Sequence, residues 1–248
     1  MEHLDFYEWN MNGCINSKMI GRVLGVLLLI EMGMLLLCGG ISFCYGENDY
    51  IYFLYTCGVN VVAGILLLLY GRGAENKMNR RDGYCVVSLS WLFFTIFGML
   101  PFYLSGSVDT IANAFFETMS GFTTTGATIL DDIESLSHGM LFWRSLTQWI
   151  GGLGIVFFTI AILPIFTSGG VQLFSAESTG VIHNRTHPKI NVMAKWLWAV
   201  YLILTLLETI LLMFGGMNLF DAICHSFTTT ATVSYTHLRA HETCADLV

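Results

Sequence analysis

Apolar positions in this chain fall in long, near-continuous runs separated by short polar links. Five runs are long enough to cross a hydrocarbon core of ~30 Å. They extend from about Ile20 to Phe43, Ile51 to Tyr70, Tyr84 to Leu104, Leu141 to Phe166 and Trp196 to Phe214. Two further apolar segments, Ile111 to Met119 and Asn218 to Phe227, hold only about ten residues each and cannot span. Each follows a long run and leads into a threonine-rich stretch. The pattern predicts an all-α polytopic membrane protein. An outer-membrane barrel would instead show alternating ten-residue segments.

Composition agrees. Of 248 residues, 54% are hydrophobic and 12% charged, against about 25% charged in soluble domains. Where the charges fall matters more than their net value of −7. Lys18 and Arg22 flank the first run. Arg72, Lys77, Arg80 and Arg81 follow the second, and His183, Arg185, His187, Lys189 and Lys195 precede the fifth. The positive-inside rule places these links and the N-terminus in the cytoplasm. The acidic links, with Glu47 and Asp49 and then Asp131-Asp132-Ile133-Glu134, then face outward. A polar opening of 17 residues and an over-long first apolar run predict no cleavable signal peptide. The seven cysteines, Cys14, Cys38, Cys44, Cys57, Cys85, Cys224 and Cys244, form no CxxC pair. They read as small hydrophobes and not as a disulfide framework.

The stretch Ser120-Gly121-Phe122-Thr123-Thr124-Thr125-Gly126-Ala127-Thr128 concentrates the candidate chemistry. Irregular backbone at membrane depth survives only where protein buries it or where it lines a watery path. A loop of small hydroxyl residues can turn its carbonyls inward and replace the water around a dehydrated cation. The plainer reading is a Thr/Gly turn between helices. A half-helix entering from outside, capped by Asp109 or Thr110, points its negative dipole end at this loop and favours a cation there. The acidic link after the loop would concentrate cations. Gly151, Gly152 and Gly154 in the fourth run allow close helix packing, or a bend where a gate would lie.

Other residues carry weaker signals. Glu31 lies inside a span, where an acid is a functional candidate by default; the plainer reading is a carboxyl hydrogen-bonded to a neighbouring helix. Arg144 is a candidate partner for an acid of the outer link. Glu117 reads as hydrogen-bonding support for the loop. A membrane-embedded enzyme would need Glu31, Glu117 or His225 to converge, and nothing in the sequence brings them together. His183 and His187 lack a third ligand for a metal.

The order span, short helix, loop, span begins again with span, short helix, loop. Setting Asn113-Ala114 against Asp221-Ala222 needs no gap. It brings Ala231-Thr232-Val233-Ser234 opposite Thr123-Thr124-Thr125-Gly126.

These residues resemble the Trk/Ktr potassium uptake family. The Ser120–Thr128 stretch is similar to its first filter. Trp149-Ile150-Gly151-Gly152-Leu153-Gly154-Ile155, Ala161-Ile162-Leu163-Pro164, Ala176-Glu177 and Gly216–Phe227 match further family segments. Two spans before Arg80-Arg81-Asp82-Gly83 resemble the longer, TrkH-type branch. The resemblance covers about Lys18 to Thr232. It implies span–pore helix–filter loop–span units of the potassium-channel type after two extra helices, and potassium uptake across the cytoplasmic membrane. Filter positions would be Thr123, Thr124, Thr125, Gly126, Ala231 and Thr232, with K+ at Thr124, Thr125 and Thr232. No cofactor or nucleic acid is implied. The implied partners are membrane lipid, a second copy in a homodimer, and a cytoplasmic nucleotide-binding subunit. The expected divisions are 1–79 (N-terminal segment and two extra helices), 80–168 (first pore unit), 169–195 (linker), 196–232 (start of the second unit) and 233–248. The last segment, and Ser234 where the family would carry glycine, suggest a truncated chain with an unrelated tail. The alternatives are then a non-transporting fragment or a sodium-permeable transporter.

Overall fold

The computed structural model describes residues 15–74, 80–130, 132–133, 135–166 and 190–231. Every regular element among them is helical. Among the described residues, four helices are long and apolar enough to cross a membrane: Ser17–Cys44, Tyr50–Tyr70, Arg81–Leu104 and Lys195–Phe214.

Helix α1 (Ser17–Cys44) starts at Asn16, whose side chain accepts the Met19 amide at 3.1 Å. It ends where Gly46, at φ 73°, turns the chain. The amide of Glu47 bonds back to Ser42 O at 3.1 Å and that of Gly46 to Phe43 O at 3.0 Å. This is the paired-bond C-terminal motif that satisfies a helix's last carbonyls. Helix α2 (Tyr50–Tyr70) packs antiparallel along α1. Small residues set that contact: a Cβ on Gly25 would stand 2.8 Å from Gly64 O. Where lipid is as apolar as the side chains, such backbone approach drives helix association.

Helix α3 (Arg80–Gly98) and the short α4 (Leu100–Leu104) form one broken span. Pro101 sits in the first turn of α4, where its missing N–H costs least. At the break, Gly98 O accepts the Trp143 indole N–H at 2.9 Å. Helix α5 (Ile111–Phe122) follows, then α6 (His138–Phe166), α7 (Ile190–Phe214) and α8 (Leu219–Ala231).

The core lies where α1, α3, α5 and α6 meet. Phe122 and Trp143 are fully buried, and their rings meet edge-to-face at 6.3 Å. Phe94 packs on Phe122 from α3 at 5.5 Å. The last residue of α5 is therefore an anchor in the core, and this fixes where the following loop begins.

Candidate functional site

Helix α5 starts as its sequence predicts. The Thr110 hydroxyl accepts the Asn113 amide at 3.2 Å, taking up one of the first-turn donors that no carbonyl reaches. The helix ends three residues later than expected, at Phe122 instead of Met119. Ser120, Gly121 and Phe122 are thus helical and not part of the loop. Tertiary packing is the reason: Phe122 reaches the core only from a helical turn, and a side chain at Gly121 would collide with Thr147.

The helix closes with the same paired-bond motif as α1. Thr125 N bonds to Ser120 O at 2.9 Å and Thr124 N to Gly121 O at 3.0 Å. The turning residue is Thr124, the one non-glycine with positive φ (56°) among the described residues. Glycine is usual there. For an L-residue the left-handed region costs roughly 1–2 kcal/mol, and a β-branched residue is a genuine outlier in it. Strain of this sort persists where its surroundings over-determine it.

The turn sorts the backbone polar groups. Thr123 N bonds to Met119 O at 2.9 Å, and Gly126 N reaches Ser120 O at 3.5 Å. Four consecutive amides therefore point back into the helix end. Among the described residues, no donor meets the carbonyls of Thr123, Thr124 or Thr125. Thr123 is exposed, Thr124 and Thr125 are half-buried, and Gly126 (φ 72°) is buried.

The descending strand of the loop is tied to α5 by two side chains one turn apart. Ser120 Oγ donates to Ala127 O at 2.6 Å. The Glu117 carboxylate accepts the Thr128 hydroxyl, 3.1 Å from each oxygen, and the Ile129 amide at 3.0 Å. Arg144 Nε closes the cluster with a 2.7 Å bond to Glu117 Oε1. The pair is withdrawn from solvent, with side chains 2% and 13% exposed. Arg144 thus pairs with Glu117 of α5; Asp131 and Glu134 of the outer link lie outside the described residues.

Helix α6 lies beneath both short helices. A Cβ on Gly151 would collide with the Phe122 carbonyl, and one on Gly152 would stand 2.9 Å from Ala231 Cα. Adjacent glycines thus seat the last residues of α5 and α8. Gly154 behaves differently: at φ 64° and ψ 146° it interrupts the helix. Such angles are open essentially to glycine alone. Gly151 and Gly152 thus sit at close backbone contacts, and Gly154 breaks the helical path.

The repeat is visible in the caps. Helix α8 begins 108 residues after α5, Leu219 after Ile111. Its preceding Asn218 accepts the Asp221 amide at 2.8 Å, as Thr110 accepts Asn113 at the same offset. Helix α8 extends past the expected Phe227 and is helical through Ala231, where the described residues end.

A family model described as a TrkH cation transport protein matches residues 53–236. The chain belongs to the TrkH cation transport family. It is 40% identical over 219 residues to the Trk system potassium uptake protein TrkH of Escherichia coli K12, covering 88% of this chain and 45% of that one. The TrkH protein of Halomonas elongata is 37% identical over the same shares. The crystal structure of the potassium transporter TrkH from Vibrio parahaemolyticus superposes with a TM-score of 0.69 at 31% identity, covering 85% of this chain and 42% of that one. The chain spans less than half the length of the relatives it matches.

Within this TrkH-family chain, the remaining sequence candidates scatter. Glu31 is fully buried against Gly98, beside the Trp143 and Phe122 rings. The expected hydrogen bond to a neighbouring helix is not made: neither carboxyl oxygen has a partner among the described residues. His225 occupies the α8 position equivalent to Glu117 but is exposed. In this half, Glu208 of α7 accepts the Thr230 hydroxyl at 3.3 Å. Thr232, His183, His187 and residues 233–248 lie outside the described residues.

The structure adds a cluster that sequence reading missed. Glu47, in the α1–α2 link, accepts the His138 amide at 2.9 Å, the His138 ring Nδ1 at 2.7 Å and the Gly139 amide at 3.4 Å. Tyr45 stacks on His138 at 4.0 Å, and Phe220 of α8 closes against both rings. Burial pushes the Glu47 carboxyl up, but its hydrogen bonds from His138 and Gly139 outweigh this and hold it below the ordinary value. Glu47 and His138 are 91 residues apart, and no local pattern joins them.

Proposed function

We propose that this chain supplies the first pore unit and the start of the second to a potassium-uptake protein of the cytoplasmic membrane, with the N-terminus and basic links inside. The carbonyls of Thr123, Thr124, Thr125 and Gly126 form one part of its filter, with K+ at Thr124 and Thr125. Ala231 and Thr232 open the next part, with a K+ contact at Thr232. The relatives are named as potassium uptake proteins of a Trk system, and this supports both the ion and the membership of a multi-subunit system. A homodimer and a nucleotide-binding cytoplasmic subunit complete the proposed assembly.

One observation carries the reading. The backbone from Thr123 to Gly126 directs its amides to the end of α5, and among the described residues no donor meets the carbonyls of Thr123, Thr124 and Thr125. Oxygens without donors can replace a cation's hydration shell. The α5 C-terminus adds the negative end of its dipole at the same place. Glu117 and Arg144 brace the strand without reaching the ion themselves.

Selectivity tests this. In a full-length TrkH context carrying this loop, Gly126→Ser should lower uptake of potassium relative to sodium in reconstituted vesicles. A hydroxymethyl group at a buried position of positive φ disturbs the loop at its turning point. Unchanged selectivity would remove Gly126 from the filter.

A further inference from the structure

We propose that the end of the α1–α2 hairpin that carries Lys18, Arg22 and Arg72 binds an anionic glycerophospholipid. The site is independent of which ion the pore passes.

The cationic side converges on Gly71. A Cβ there would stand 2.8 Å from Lys18 O and 2.7 Å from Arg22 Cβ, so the end of α2 sits directly on the first turns of α1. Lys18, Arg22 and Arg72 therefore spring from one small area contributed by two helices. Arg22 and Arg72 line an open groove together with Gly71, Gly73 and the apolar Ile65, Leu68 and Leu69. Lys18 and Arg72 are exposed and Arg22 is half-buried.

The apolar side continues from that groove. Val62 and Leu66 precede Ile65 and Leu69 by three residues, which makes them neighbours on the helix surface. They belong to a second, almost wholly apolar groove that runs back through Val59, Gly58 and Tyr55 to Leu54. Gly58 keeps its floor low, because a Cβ there would meet nothing within 4 Å. From Leu69 back to Leu54 the track is about 22 Å long at 1.5 Å per residue, longer than one leaflet's half of a ~30 Å core.

Charge and shape together select the occupant. Guanidinium groups pair bidentately with phosphate oxygens, and basic pockets between membrane helices take anionic headgroups. A soluble phosphate would leave the apolar track unused. A zwitterionic lipid would fill the track but carries a compensating cation at its headgroup.

Native mass spectrometry of the purified 248-residue chain in neutral detergent tests the proposal, with phosphatidylglycerol and phosphatidylcholine added separately. Phosphatidylglycerol should be retained preferentially. Arg72→Gln should weaken its binding about fivefold, and Arg22→Gln with Arg72→Gln by roughly the product of two such factors. Lys195→Gln removes an exposed charge outside the hairpin and should leave binding unchanged. Equal retention of the two lipids overturns the proposal, as does an equal loss with Lys195→Gln, which would mean diffuse charge attraction. If glycerol phosphate competes as well as the lipid does, the apolar track contributes nothing and the lipid assignment falls. Helicity by circular dichroism, expected to match across the variants, separates lost binding from lost folding, and Arg72→Gln is the decisive variant because that side chain is exposed.

Discussion

At the residue scale, the loop is shaped by hydrogen-bond accounting. Thr124 holds a conformation that glycine would adopt freely, and the strain persists because Phe122 is locked in the core before it and Glu117 holds Thr128 and Ile129 after it. The buried Glu117–Arg144 pair is part of this brace. Removing one partner of a buried ion pair leaves an uncompensated charge and costs about 3–5 kcal/mol. Arg144→Leu should therefore destabilise the chain by about that amount, measured as the drop in unfolding free energy in detergent. Combining it with Glu117→Gln should recover part of the loss. Strictly additive losses would show that the two side chains do not act as a pair.

Glu47 makes a second residue-scale prediction, through pH. Its carboxyl is held below the ordinary value when folded. The stabilisation is therefore fully present above the unfolded value of about 4.3 and is lost as pH falls through the lower folded value. The melting midpoint of the native chain should exceed that of Glu47→Gln at pH 7, and the gap should close as pH falls through the lowered folded value. A gap that persists at the acid end would assign the effect to packing of the link and not to the charge.

At the element scale, the long helices were legible because apolar runs of about 20 residues leave few alternatives. The short helices were legible through length and caps, and Thr110 does cap α5. Their ends were not. Residues 120–122 and 228–231 are small, polar or aromatic and read equally well as loop; only the seats offered by Gly121, Gly151 and Gly152 against other helices decide the matter. Glu117 was readable as a support for the loop, whereas its link to Arg144 and the Glu47–His138 cluster join residues 27 and 91 positions apart, which no periodicity connects. The glycines of α6 yield an element-scale test. Gly151→Ala forces α5 and α6 apart and should lower the melting midpoint clearly. Gly33→Ala, where a Cβ meets nothing within 4 Å, should be neutral or stabilise by up to about 1 kcal/mol. Equal effects would mean that the Phe122 contact does not hold the two helices in register.

At the scale of the whole molecule, two short helices related by a 108-residue offset sit on neighbouring glycines of one central helix. Helix α7 turns a nearly bare apolar face outward, with only 11% of its most apolar stretch buried. The central claim is that backbone carbonyls of the threonine loop take the place of water around potassium. Isotope-edited infrared spectroscopy tests it most directly, on a full-length protein containing this loop with threonine labelled at its carbonyl carbon. Exchanging sodium for potassium should shift part of the labelled carbonyl band, and Gly126→Ser should abolish the shift. Identical spectra in the two ions would contradict carbonyl coordination by Thr123, Thr124 and Thr125.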